Sequence, residues 1–171
     1  MKYCEHCGNE LILKNIEKEG QIPYCSFCDK LYFPLFNTAV SMIALNPRKD
    51  KILLIKQYGK ERNILVAGYV NKTENVEETL CREMKEEIGR KVVSYRYMKS
   101  SYYKKTNTLM LNFAVVLDSE VLDIDQEEVD EACWYSFEEA KKHIAQGSLA
   151  QEFLLNFIDE IIKEEDFTPL V

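Results

Sequence analysis

Two groups of residues in this sequence have types and spacings that could do chemistry. The first is Cys4-x-x-Cys7 followed by Cys25-x-x-Cys28. In each pair a tight turn can aim two thiolates at one ion, and two such turns supply the four soft ligands of a closed tetrahedral site, the pattern of structural Zn²⁺. Gly8, directly after Cys7, suits the positive-φ backbone that such a turn often requires. Two disulfides are the alternative, and they need an oxidising compartment. The second group is Glu83, Glu86 and Glu87, three carboxylates at i, i+3 and i+4. On a helix they span one edge and repel one another unless a cation sits among them. Hard divalent ions such as Mg²⁺ prefer oxygen ligands together with substrate phosphates. A solvated acidic helix face is the alternative.

These groups need elements to hold them. A helix is predicted over Asn75 to Ile88: Asn75 and Glu78 resemble a capping pair, Val76, Leu80, Met84 and Ile88 form an i, i+4 apolar stripe, and Gly89 can end it. Thr38 to Leu45 and Lys51 to Gln57, apolar and β-branched, flank Asn46 to Asp50 and predict a hairpin. Ile64 to Ala67, Val92 to Met98, Leu109 to Leu117 and Ala132 to Tyr135 predict further strands. Ser148 and Gln151 suggest a capping box for a last helix, whose Ala150, Phe153, Leu154, Phe157, Ile158, Ile161 and Ile162 repeat with helical period. The expected class is α+β, a mixed sheet covered by helices. Residues 1–33 read as a small zinc ribbon that cannot hold a core without its metal, and residues 34–171 as the main domain. Cys81, Cys133 and Trp134 read as core, His6 as solvated, and His143 has no partner motif.

Composition bounds the rest. The 171 residues, 46% hydrophobic and 30% charged, suit one ordinary domain plus a small module. No apolar run approaches the roughly 20 residues that cross a bilayer, so no membrane partner is expected. Met1-Lys2-Tyr3-Cys4 enters the cysteine motif without the apolar stretch of a secretory signal, and a cytoplasmic location is expected. A net charge of −7 disfavours generic adhesion to nucleic acid.

The segment from Gly68 to Gly89 resembles the Nudix box, G-x5-E-x7-R-E-U-x-E-E-x-G-U with U apolar: Gly68, Glu74, Arg82, Glu83, Met84, Glu86, Glu87 and Gly89 match, and Arg90 departs at the final apolar position. The resemblance implies a Nudix α/β/α sandwich and hydrolysis of nucleoside diphosphates linked to another moiety. In it, Glu74 and Arg82 would brace the loop against the helix, while Glu83, Glu86 and Glu87 would hold Mg²⁺ or Mn²⁺. The chain also resembles the NADH pyrophosphatase branch, which places a four-cysteine ribbon directly before its Nudix domain. Tyr32-Phe33-Pro34, Leu65 to Val70, Glu128 to Tyr135 and Ser148 to Ala150 carry that likeness. It implies that Glu128 assists at the metal-bound phosphate, that Tyr69 stacks on a base or nicotinamide ring, and that the backbone near Ala150 touches the same ring. Glu87 or Glu128 would receive the proton of the attacking water.

The main departure is Ser100 to Thr108, which replaces the branch's S-Q-P-W-P-F-P-x-S signature and reads either as an exposed polar loop or as a segment in which Tyr102 and Tyr103 supply a stacking surface and Lys104 or Lys105 meets a phosphate. A loop that must be ordered by its ligand implies weaker discrimination between NADH and ADP-ribose. The expected partner is a nucleoside diphosphate-linked small molecule, NADH-like first and ADP-ribose or a nucleotide sugar as the alternative. Nucleic acid is expected only as a nucleotide cap, and a homodimer is an open expectation. A non-catalytic Nudix ligand sensor is the competing class of function.

Overall fold

The computed structural model describes residues 2–161 and 168–170. The chain divides into two compact units, Met1–Phe36 and Asn37–Val171. The first is a three-stranded antiparallel sheet of β1 (Ile12–Ile16), β2 (Gly20–Cys25) and β3 (Lys30–Leu31). Gly8 has φ 74° and donates its N–H to the Cys4 carbonyl, closing the first cysteine turn. The buried residues of this unit are Cys4, Ile22, Cys25 and Tyr32, so two cysteines make up half of its interior.

In the second unit the order is β4 (Asn37–Leu45), β5 (Lys51–Lys56), β6 (Val66–Tyr69), α1 (Val76–Ile88), β7 (Val92–Tyr103), β8 (Thr108–Leu117), β9 (Glu131–Ser136), α2 (Phe137–His143), α3 (Leu149–Ile161) and β10 (Thr168–Pro169). Among the described residues the sheet runs β10-β7-β8-β4-β5-β9, with β6 also paired to β4. The β4–β8 pair is parallel and the others antiparallel, so the sheet is mixed.

Strands covered on both faces need apolar residues at successive positions, which explains the run from Ala39 to Leu45, where Ser41 is the one polar residue. Val40, Met42 and Ala44 pack with Leu80, Met84 and Ile88 of α1 on one face. Ile43 and Leu45 pack with Phe153, Leu154, Phe157 and Ile158 of α3 on the other. The result is an α/β/α sandwich of α+β class. No described helix is long and apolar enough to cross a membrane.

Helix α1 follows its sequence pattern closely. Asn75 and Glu78 form a reciprocal capping box, and Gly89 closes the helix at φ 70°, where any Cβ would stand 2.5 Å from the Asp123 carbonyl oxygen. In α3, Ser148 accepts from the Gln151 N–H, but Gln151 reaches back to the Gly147 N–H, one residue earlier than in a standard box. The expected apolar positions at the Ile161 side chain and at Ile162 lie outside the described residues.

One expectation is corrected. Ser100 to Thr108 is not a loop: β7 continues to Tyr103, a single 3₁₀ turn covers Lys104–Thr106, and Asn107 at φ 51° caps that turn directly before β8. Pairing of Ser101 with Met110, Tyr102 with Leu109 and Tyr103 with Thr108 holds the segment by backbone bonds that polar side chains do not advertise. Glu128 sits in the turn before β9, which begins at Glu131.

Candidate active site and thiolate cluster

The site grows from the packing of α1. Glu83 and Glu87 each precede a stripe residue, Met84 and Ile88, and this places them at the border of the buried face, 8% and 3% exposed. Glu86 points outward and is exposed. Gly68 of β6 lies directly under Glu83, and a methyl group at 68 would overlap the Glu83 carboxyl. This glycine is there for space, because the carboxylate occupies the volume a side chain would need.

Arg82 ties the loop to the helix. Its Nε and Nη2 donate to the two oxygens of Glu74 at 2.8 and 3.0 Å, and Nη2 also donates to the Tyr69 carbonyl at 2.9 Å. Glu74 accepts from the Asn71 N–H as well, and together these hold its carboxyl down at about 2, with Arg82 the larger cause. Nη1 donates to Glu83 at 2.6 Å and to Glu86 at 3.0 Å. Burial pushes Glu87 up to about 8, helped by the charge of Glu83 and opposed by a 3.0 Å hydrogen bond from the Gln57 amide. Burial raises Glu83 too, against the pull of Arg82. The charge of Glu128 reaches both Glu83 and Glu87, so the turn before β9 belongs to the same electrostatic cluster. Glu83, Glu86, Glu87 and Glu128 make an oxygen-rich donor set of the kind that suits a divalent cation, with Arg82 bonded to the first two.

On the opposite face of the sheet lies a cavity of about 860 Å³. Tyr69, Ala39, Met110 and Ser101 form a row across β6, β4, β8 and β7, and the first three line that cavity. Ala150, in the first turn of α3, and Phe153 close it from the other side. Strand β6 is the partition, with Gly68 turned toward Glu83 and Ala67 and Tyr69 toward the cavity. Tyr69 and Ala150 are therefore brought together, and the carboxylates stand across β6 from them.

Sequence reasoning missed Gln57, Arg62 and the cavity floor at Ser41 and Met110. Gln57 is a strand-end polar residue with no motif around it, and the floor becomes visible only through strand register. Of the Ser100 to Thr108 residues, Tyr103, Lys105 and Thr106 line the cavity, while Tyr102 bonds Asn107 through its hydroxyl.

In the first unit the four thiolates of Cys4, Cys7, Cys25 and Cys28 lie within 4.8 Å of one another, and all six cysteines are free. Among the described residues this is the only set of three or more ligating groups drawn so close; the α1 carboxylates stand further apart. Sulfurs about 2.3 Å from a tetrahedral zinc are about 3.8 Å from each other, and the Cys4–Cys28 and Cys7–Cys25 separations are 3.9 and 3.5 Å. The Tyr32 hydroxyl, 2.9 Å from the Cys4 sulfur, holds that thiol down at about 6. Hydrogen bonding to Cys7 and burial push Cys28 up to about 12, which is the mutual resistance to ionisation that a cation relieves.

Comparison with known proteins agrees with this geometry. A family model, the NUDIX domain, matches residues 35–156. Proteins named NAD-capped RNA hydrolase NudC, from Shigella flexneri and from Escherichia coli O1:K1, are 31% identical over 156 residues. The match covers 90% of this chain and 58% of theirs. A NUDIX hydrolase crystal structure from Nitrosomonas europaea superimposes with TM-score 0.66 at 21% identity, covering 94% of this chain and 92% of that one. One from Clostridium perfringens superimposes with TM-score 0.60 at 20% identity, covering 72% and 99%. A family match over most of the chain, the box residues in register along α1 and the shared sandwich lead to one conclusion: the chain belongs to the Nudix family.

Proposed function

We propose that this chain is a divalent-metal-dependent hydrolase of the pyrophosphate bond in a nucleoside diphosphate derivative, with an NADH-like dinucleotide as the favoured substrate. The observation that carries this reading is the pair of sites flanking β6: crowded carboxylates on one face, at Gly68, and on the other a cavity whose 860 Å³ lies within the roughly 300–1,000 Å³ of small-molecule sites. The relatives named NAD-capped RNA hydrolase support an NAD-type ligand.

Glu83, Glu86 and Glu87 would hold Mg²⁺ or Mn²⁺, which supplies charge neutralisation on the diphosphate and a more acidic water. Arg82 positions Glu83 and Glu86 and anchors the loop through Glu74. Glu87, buried and already inclined to hold a proton, accepts the proton of the attacking water, and Glu128 stands near enough to share that task. Tyr69 stacks on the base or nicotinamide ring in the cavity, and the backbone at Ala150 touches that ring from α3. Cys4, Cys7, Cys25 and Cys28 hold one structural Zn²⁺ that replaces the hydrophobic core the first unit lacks.

The test is a hydrolysis screen over NADH, NAD, ADP-ribose and nucleotide sugars, with and without Mg²⁺, with products identified by mass. Cleavage between the two phosphates, dependent on Mg²⁺, is expected for at least one dinucleotide. Ligand binding without turnover would instead make the chain a sensor.

A further inference from the structure

Arg82 has no donor left for a substrate. Its five N–H groups go to Glu74 twice, to Glu83, to Glu86 and to the Tyr69 carbonyl. Lys56, at the end of β5, is paired with Glu131 and Glu61. The segment between β5 and β6 brings a further cation. It is a tight hairpin: Ile55 and Ile64 exchange backbone bonds at 3.0 and 2.9 Å, and the Lys60 N–H returns to the Gln57 carbonyl at 3.2 Å. Antiparallel register then sets Arg62 opposite Gln57. Both fall on the α1 face, since side chains alternate along a strand and Leu53, Ile55, Ile64 and Val66 all pack in the α1 core. Gln57 is the residue whose amide bonds Glu87. The hairpin is also tied to the turn that carries Glu128, because the Gly59 N–H donates to Asp130 and the Asp130 N–H to the Lys56 carbonyl. Arg62 is thus carried to the Glu87 end of the carboxylate cluster. It is exposed, it lines the cavity as well, and among the described residues it makes no hydrogen bond or ion pair. A guanidinium that stands beside carboxylates and bonds none of them keeps its donors for a ligand.

We infer that Arg62 binds the diphosphate itself and stabilises the negative charge that develops on the leaving phosphate. Hydrolysis forms a bond from the water oxygen to one phosphorus and breaks the bond from that phosphorus to the bridging oxygen. The proton of the water goes to Glu87 or Glu128, and the electron pair of the broken bond goes to the bridging oxygen, so the departing phosphate gains charge in the transition state. In the reading above, Glu83, Glu86 and Glu87 serve the attacked phosphate. Arg62 serves the departing one: its planar fork matches two phosphate oxygens, and it stands where the carboxylate cluster and the cavity meet. A donor that meets charge as it forms contributes more to kcat than to ground-state binding. The inference rests on the proposed hydrolase reading for its reaction, but the contact between Arg62 and a diphosphate is its own content and is measurable without turnover.

The experiment compares wild type with Arg62→Ala, Arg62→Lys and Lys60→Ala, the last removing another exposed cation of the same hairpin. Affinity of the whole chain for the non-hydrolysable methylene-bridged analogue of ADP-ribose is measured by calorimetry in Mg²⁺, and kcat and KM are measured on NADH and ADP-ribose. Arg62→Ala should bind the analogue at least about fivefold more weakly and lose about a hundredfold in kcat with a smaller change in KM, and Arg62→Lys should recover part of both. Guanidinium ion at millimolar concentration should restore part of the kcat of Arg62→Ala, and urea should not; a merely structural role would show no such rescue. Lys60→Ala should stay within about threefold of wild type in both measurements. Turnover in which Arg62→Ala keeps rate and affinity within about threefold of wild type, or an equal loss in Lys60→Ala, would overturn the inference and leave the hydrolase reading standing. Affinity lost with kcat unchanged would overturn the transition-state role. Affinity lost in Arg62→Ala, with neither compound hydrolysed by wild type, would uphold the diphosphate contact and overturn the hydrolase reading. Wild type that neither binds the analogue nor cleaves either compound would overturn both.

Discussion

Gly68 and Glu83 occupy one volume between them, and that makes the glycine a test of the carboxylate. In Gly68→Ala the Glu83 side chain must swing away, since the backbone of β6 is fixed by its pairing with β4. The fold should survive, with a thermal midpoint within a few degrees of wild type, while kcat falls at least about tenfold, or about 1.4 kcal/mol of barrier. Glu87 gives a pH signature of its own. Its carboxyl titrates at about 8 in the folded protein and near 4.5 when exposed, so between those values the folded state holds more protons than the unfolded one. Metal-free protein should therefore lose stability as pH rises from about 4.5 to about 8, by up to about 1.4 kcal/mol per pH unit from this group. Glu87→Gln removes that slope, so chemical denaturation without divalent ions should find the variant more stable than wild type at pH 8 and close to it at pH 5. The identity of these residues was legible in the sequence through their spacing. Their inequality was not, because burial of Glu83 and Glu87 against exposure of Glu86 depends on which edge of α1 meets β6.

Helix α1 was the most legible element, since its stripe, its capping box and its terminal glycine all specify the same span. Local and tertiary signals agree there, and the cap can be weighed alone: Asn75→Ala leaves the Glu78 N–H without its acceptor and should lower unfolding stability by about 1 kcal/mol in denaturant titration. The β7–β8 hairpin was the least legible. Tyr97, Tyr102 and Tyr103 are exposed, and the last turns of β7 carry serine and tyrosine without a buried apolar face, so hydrophobic alternation has nothing to report. What makes the segment a strand is its ladder with β8, a non-local feature. Its order also removes the entropic reason for expecting weak substrate discrimination, and it gives Tyr103 and Lys105 fixed places on the cavity wall.

At the scale of the molecule the two units rest on different kinds of interior. The second has a sheet covered on both faces, whereas the first has four buried core residues, two of them members of the thiolate cluster. Stripping metal with a strong chelator should therefore erase hydrogen-exchange protection along β1 to β3 while amides in β4, β5 and β8 stay protected; retained protection in the first unit would show that the cysteines do not need an ion. The cysteine spacing made the thiolate cluster of the first unit legible, but the cavity of the second was invisible in sequence because its walls come from β6, β4, β7, β8 and α3. The central claim joins that cavity to the carboxylates of α1, and its most direct test is the kcat of Glu87→Gln against wild type in saturating Mg²⁺, on whichever dinucleotide the wild type cleaves. The variant keeps the size of the side chain and the Gln57 contact region but loses the proton acceptor and a negative charge. A fall of three or more orders of magnitude with the fold intact is the predicted result; activity within about tenfold of wild type would contradict the account.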